Sequence, residues 1–181
     1  NNANLELVTL LLDFLTSPHY REAMLTHRND EHNWMPVQES AWAHHTTKTP
    51  FRSNDRAALC TKLILDATKK LLQVQTVDDI VDVNSWTLGL IACSVQNLHT
   101  VRMLVEQCDA NVNATNDMGH HLLIIAACNG FSDIVDYLLS LVTSDKHAQL
   151  VNCLQRTRSK RESGLFLACR NGRFAIAHQI L

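Results

Sequence analysis

An internal repeat is the feature of this 181-residue chain that most limits what it can fold into. Residues 85–105, SWTLGLIACSVQNLHTVRMLV, align with residues 119–139, GHHLLIIAACNGFSDIVDYLL. Residues 163–181 form a third copy, which repeats the Asn-Gly dipeptide of the second, and residues 30–42 form a fourth. Self-similarity at a spacing of about 20 to 50 residues is typical of solenoids and other repeat arrays.

Each copy predicts the same local structure. A polar turn leads into a short apolar helix with small residues at its centre, as at Ala126 and Ala168. A break follows, and then a second helix with apolar residues at positions i, i+3 and i+4. One such helix pair leaves its apolar faces uncovered, whereas stacked pairs bury them. The sequence therefore predicts a solenoid in which small residues let neighbouring first helices approach closely.

These segments resemble the ankyrin repeat, whose unit has about 33 residues. The family pattern is Asp-x-x-Gly-x-Thr-Pro-Leu-His-x-Ala-Ala, a glycine break, a second helix ending in Leu-Leu, and a Val-Asn turn. The residues that fit it are, in chain order, Asp30, Trp34, Pro36 and Ala41; Asp82, Trp86, Thr87 and Ala92; Gly119, Ala126, Ala127 and Gly130; and Ala168 and Gly172. The Thr-Pro-Leu-His motif is nowhere intact, so we expect its local hydrogen bonds to be partly lost. The resemblance implies an all-α ankyrin-repeat solenoid of stacked helix-turn-helix units with short hairpin-like turns.

The resemblance also implies that residues 1–181 form a single array. The start, NANLELVTLLL, resembles the second helix of an earlier unit, and the segment 55–80 should supply one long helix from Asp55 to about Gln73. Because the chain begins and ends inside a unit, we expect the native polypeptide to continue at both ends. The expected units are a partial unit 1–29, unit 30–81 with an insertion 43–54, unit 82–115, unit 116–157 with an extended loop 140–160, and a partial unit 158–181.

The cysteines and the hydropathy pattern indicate where such a chain resides. None of the six cysteines forms a C-x-x-C pair, and three follow alanine in apolar helical segments, at Cys93, Cys128 and Cys169. Because free cysteine behaves as a small buried hydrophobe, we expect six reduced thiols and a cytoplasmic or nuclear location. No apolar run approaches the roughly 18 residues of a membrane span, so membrane insertion is not expected.

The adjacent pair His120-His121 raises the alternative of a metal or catalytic site. A metal site needs three or four ligands that converge at about 2 Å, and neighbouring residues on a helix face different directions. His44-His45 lies too far along the chain to be assigned as a partner. The sequence also contains no nucleophile elbow, phosphate loop or His-Glu-x-x-His motif. We therefore expect no catalytic residue, metal or cofactor, and interpret His121 as a turn or capping residue.

The resemblance implies instead a concave binding surface formed by the turns and first helices. Trp34 and Trp86 occupy one repeat position, and tryptophan is enriched at interface hot spots; the equally open alternative is that each packs on a neighbouring hairpin. If the first interpretation holds, Trp34→Ala and Trp86→Ala should weaken binding without unfolding the array. Along the array, the residues expected to bind a partner change in chemical character from aromatic to mixed to basic. In chain order they are His32, Trp34 and Trp42; Asn84, Trp86 and Ser94; Met118, His120 and Cys128; and Lys160, Glu162 and Arg170.

Three functions remain open. The favoured one is a monomeric protein–protein interaction module, without a small-molecule substrate, that binds an extended or helical segment with apolar anchors near the tryptophans and acidic groups near Lys160 and Arg170. The second is the substrate-targeting or regulatory region of a larger enzyme or effector. The third, a nucleic-acid binder, rests on the basic run QRTRSKR at 155–161. It is least favoured because the adjacent residues 81–145 carry one basic and seven acidic side chains, a net charge of −6, which would repel phosphate.

Overall fold

The structure, a computed structural model, describes residues 3–14, 18–42, 54–142, 157–158 and 160–181. These residues form helices, a short 3₁₀ turn at Val77–Asp79 and no extended strand. The helices are α1 (Ala3–Phe14), α2 (Pro18–Thr26), α3 (Pro36–Trp42), α4 (Asn54–Leu72), α5 (Leu88–Ser94), α6 (Leu98–Cys108), α7 (Leu122–Asn129), α8 (Ser132–Val142), α9 (Gly164–Arg170) and α10 (Phe174–Ile180).

Some sequence predictions fall outside the described residues. Only Asn54 of the predicted insertion 43–54 is described, and the middle of the predicted loop 140–160 is not. His44-His45 and Cys153 also lie outside the described residues. The five cysteines that the structure describes are unpaired.

The helices pack in two layers. Each first helix lies against its second helix, in the pairs α3–α4, α5–α6, α7–α8 and α9–α10. The first helices α3, α5, α7 and α9 stack on one another in chain order, while α4 packs on α6 and α8 on α10. This arrangement confirms the predicted all-α solenoid, and α4 is the long helix that the sequence predicted after the insertion.

The N-terminal helices depart partly from the expected pattern. Helix α1 packs against α4, which is where the second helix of an earlier unit would lie. Helix α2 contacts α3 and α4 and was not predicted from the sequence. Its sequence, PHYREAMLT, mixes polar and apolar residues without a strong apolar repeat, so the periodicity gave no signal for it.

Burial in the stack explains why α7 is apolar on every side. Its first six residues, LLIIAA, are all buried because α5 covers one face, α9 covers the opposite face, and α8 lies behind. Ala126 has no exposed surface, and neither do Ala92 and Ala168 at the corresponding places in α5 and α9. Small side chains at these contacts let the helix backbones approach closely.

A backbone hairpin precedes each first helix. In each one, the N–H group of the first residue donates to the carbonyl of the last, at 2.9 to 3.2 Å. The hairpins run from Asn29 to Trp34, from Asp82 to Trp86, from Asn116 to His120 and from Thr157 to Glu162. The residues in left-handed conformation are, in the same order, Asn33, Ser85, Gly119 and Arg161. These are the short hairpin-like turns that the sequence predicted.

The first hairpin begins one residue earlier than the sequence pattern suggested. Asn29 Oδ1 accepts hydrogen bonds from two backbone N–H groups of its hairpin, including that of Trp34 at 3.0 Å. Asp82 Oδ1 does the same in the second hairpin, where the N–H of Trp86 lies at 2.8 Å. The sequence pattern placed Asp30 in this role. The first hairpin contains one more residue than the second, which moves the turn-forming side chain to Asn29.

The hydroxyl caps of two first helices survive the loss of the family motif. Thr87 Oγ1 accepts from the N–H of Leu90 at 3.4 Å, and Ser163 Oγ accepts from the N–H of Phe166 at 3.2 Å. His121 occupies the same position before α7 but makes no side-chain capping bond. The expected partial loss of hydrogen bonds is therefore seen at α7.

Candidate partner-binding groove

The predicted binding residues line two adjacent cavities between the hairpins and the first helices. The first cavity, here called the aromatic pocket, has a volume of about 580 Å³ and includes His32, Trp34, Trp42, Asn84, Trp86 and Ser94 in its lining. The second, here called the mixed pocket, measures about 320 Å³ and includes Trp86, Ser94, Met118, His120, Cys128, Lys160, Glu162 and Arg170. Trp86 and Ser94 line both cavities, so the two form one groove.

Hydrogen bonds between successive hairpins set the spacing of the groove. The N–H of Asp117 donates to the carbonyl of Asn84 at 3.2 Å, and the N–H of Arg158 donates to the carbonyl of Met118 at 2.9 Å. The hairpins approach so closely that a Cβ on Gly119 would lie 2.8 Å from the Arg158 backbone nitrogen. Gly119 also has a φ of +77°, which favours glycine. The same repeat positions therefore face the groove in successive units.

Trp34 forms the buried floor of the aromatic pocket. It is only 7% exposed, and its indole N–H donates to Asp82 Oδ2 of the next hairpin at 3.1 Å. The imidazole of His32 stacks on it with ring centroids 4.6 Å apart, and Trp42 meets it edge-on at 5.5 Å. Trp34 therefore packs on the neighbouring hairpin, which is the second of the two interpretations that the sequence left open. Because its truncation would open a cavity in the core, we expect Trp34→Ala to destabilise the array. Trp86 remains half-buried and lines the groove.

Carboxylates surround the aromatic pocket. Asp30, Glu31 and Asp82 all line it, and no described lysine or arginine does. The side chain of Glu31 is 83% exposed. The sequence analysis treated Asp30 and Asp82 as turn residues and did not predict an acidic lining at this end of the groove. The signal was present in the sequence, since two acidic residues directly precede His32 in DEHNW.

The basic character expected at the other end of the groove is weaker than the sequence suggested. Arg170 forms an ion pair with Glu162, whose side chain is mostly buried. The Arg170 guanidinium also lies 5.9 Å from the centre of the Phe166 ring. Lys160 is exposed at the edge of the mixed pocket. The positive charge offered to a partner there is therefore carried mainly by Lys160.

The two adjacent histidines lie in different environments. His120 lines the mixed pocket, where partial burial lowers its pKa although Glu162 opposes the shift. His121 is 1% exposed, and burial lowers its pKa to about 4, with a smaller contribution from His120. Among the described residues, no group of three or more histidine, cysteine or acidic side chains is arranged to hold a metal ion. In the same part of the chain, no helix is long and apolar enough to cross a bilayer.

A family model for ankyrin repeats, with three copies, matches residues 56–150, which is just over half of the 181 residues. The chain belongs to the ankyrin-repeat family. A search of curated proteins returns no match to it. Ankyrin repeats are generally protein–protein interaction modules. This ankyrin array therefore belongs to a class of domains whose usual role is to bind proteins.

Proposed function

We propose that this ankyrin array binds an extended or helical segment of another protein along the groove formed by the aromatic and mixed pockets. The main support for this proposal is that residues at the same repeat positions in successive units line one continuous, partly aromatic groove. Because the described cysteines are unpaired, we place this activity in the reducing cytoplasm, with the nucleus as the alternative location.

Trp86 is the proposed central anchor of the interface. It is half-buried, lines both pockets and lies between the acidic end of the groove and Lys160. Interface hot spots are enriched in tryptophan and cluster near the centre of the contact, where water is excluded. A segment crossing Trp86 would fill both pockets at once. This placement favours a peptide-like ligand over a small molecule confined to one cavity.

The proposal is tested by selecting short random peptides on the folded chain and mapping the tightest one by hydrogen–deuterium exchange. We expect protection of the hairpin amides at 82–86 and 116–120 and of the first helices α5 and α7. Protection concentrated on the second helices α4, α6 and α8 would contradict the proposal. Failure of the selection to yield any peptide that protects the groove would contradict it as well.

A further inference from the structure

We infer that the aromatic pocket receives a positively charged side chain, a lysine or an arginine, from the segment bound in the groove. This inference rests on the proposed function and assigns the chemistry of one anchor. The sequence led us to expect an apolar anchor there. The geometry of the rings and the charge around them point to a cation with an apolar stem instead.

The aromatic rings provide the first reason. His32, Trp34 and Trp42 form one cluster with centroid separations of 4.6, 5.5 and 6.3 Å, and Trp86 lines the same cavity. The face of an indole ring carries negative electrostatic potential, and a cation within about 6 Å of the ring centre is attracted to it. Because His32 covers the buried Trp34, the half-buried Trp42 and Trp86 provide the exposed indole surface in this pocket. The methylene stem of lysine or arginine packs on the same apolar surface.

The charge distribution provides the second reason. Asp30, Glu31 and Asp82 line the pocket without any described lysine or arginine. Asp82 is held in place, because its Oδ2 accepts the Trp34 indole N–H and its Oδ1 accepts two backbone N–H groups. A purely apolar anchor would gain no electrostatic attraction from these carboxylates. A phosphate or carboxylate would be repelled, whereas a cation is attracted by both the rings and the carboxylates.

The chain offers a direct optical test, because all three of its tryptophans line this pocket. We would titrate the folded chain with Nα-acetyl-lysine amide, the arginine and Nε-trimethyl-lysine analogues, and the neutral norleucine analogue, and follow tryptophan fluorescence. We expect saturable responses to all three cations and binding of norleucine about fivefold weaker or more. Comparison of the dissociation constants of the lysine, arginine and trimethyl-lysine analogues shows which cation binds most tightly.

A pair of double variants locates the effect. Asp30→Asn with Glu31→Gln removes two exposed carboxylates at the pocket, and we expect it to weaken lysine binding about threefold. The matched control, Asp66→Asn with Asp109→Asn, removes two exposed carboxylates elsewhere and should leave binding unchanged.

Three results would overturn the inference. They are norleucine binding as tightly as lysine, the absence of a saturable response to any of the three cations, and equal lysine affinity in the two double variants. Each of these would leave the proposed function standing if a selected peptide still protects the groove in hydrogen exchange. Hydrogen-exchange protection confined to the second helices would instead contradict the proposed function, whichever ligand the aromatic pocket binds.

Discussion

His121 occupies a position where the equivalent residues Thr87 and Ser163 cap their helices with a hydroxyl oxygen. Its imidazole is buried between repeats instead, and neither ring nitrogen has a hydrogen-bond partner among the described residues. Burying a polar group without a partner costs about 1 to 3 kcal/mol. The sequence predicted a turn or capping residue at this place. It could not predict the burial, because burial depends on the neighbouring repeats.

The first prediction concerns pH and His121. Its pKa of about 4 lies below the ordinary value of 6.5. Between these two pH values, His121 is protonated in the unfolded chain and neutral in the folded chain. The stability present above pH 6.5 is therefore lost as the pH falls from 6.5 towards 4. We expect the free energy of unfolding to fall by about 2 kcal/mol more between pH 7.5 and pH 5 in the parent than in His121→Thr.

Urea unfolding at the two pH values measures this difference. Substitution of the exposed His178 by glutamine is the control, and it should keep the pH dependence of the parent. Identical pH dependence in His121→Thr and the parent would mean that His121 is not held neutral by burial.

At the scale of the helices, the first helices stack on one another along the array. Ala92, Ala126 and Ala168 recur at the centres of these helices with no exposed surface. The repeated sequence pattern predicted this contact and the long helix α4. It placed the first turn residue at Asp30 instead of Asn29 because the longer first hairpin breaks the common spacing. It missed α2 because that segment has no strong apolar periodicity.

The second prediction tests the stacking contact with Ala126→Leu. Three added carbon atoms would have to enter a fully buried contact, so we expect the free energy of unfolding to fall by about 1 to 3 kcal/mol. Denaturant unfolding is the measurement. The matched control is Ala175→Leu, an exposed position on α10, which should unfold close to the parent. Equal stability of Ala126→Leu and the parent would place Ala126 outside a tight contact.

At the scale of the whole molecule, the repeat register was enough to predict which side chains face a common surface. Trp86, Met118 and Lys160 lie far apart in sequence, yet the constant geometry of the units brings them to one groove. The register did not decide between the two interpretations of Trp34, and it did not predict the pairing of Arg170 with Glu162. Both depend on side-chain contacts that the repeat pattern does not encode.

The third prediction concerns the charge at the far end of the groove. Lys160→Glu should weaken binding of an acidic groove peptide mildly, about two- to fivefold, because an exposed charge acts mainly on the association rate. The effect should be larger at low salt than at high salt, since ions screen exposed charges. Stopped-flow association at two salt concentrations measures it. A change confined to the dissociation rate and independent of salt would mean that Lys160 makes a buried contact.

The most direct measurement of the central claim is the affinity of one selected groove peptide for Trp86→Ala and for Leu59→Ala. Leu59 is an exposed apolar residue of the second helix α4 and serves as the matched control away from the groove. With both variants shown to be folded by circular dichroism, we expect Trp86→Ala to raise the dissociation constant at least about tenfold and Leu59→Ala to leave it unchanged. Normal binding by Trp86→Ala together with loss of binding by Leu59→Ala would contradict the proposed groove.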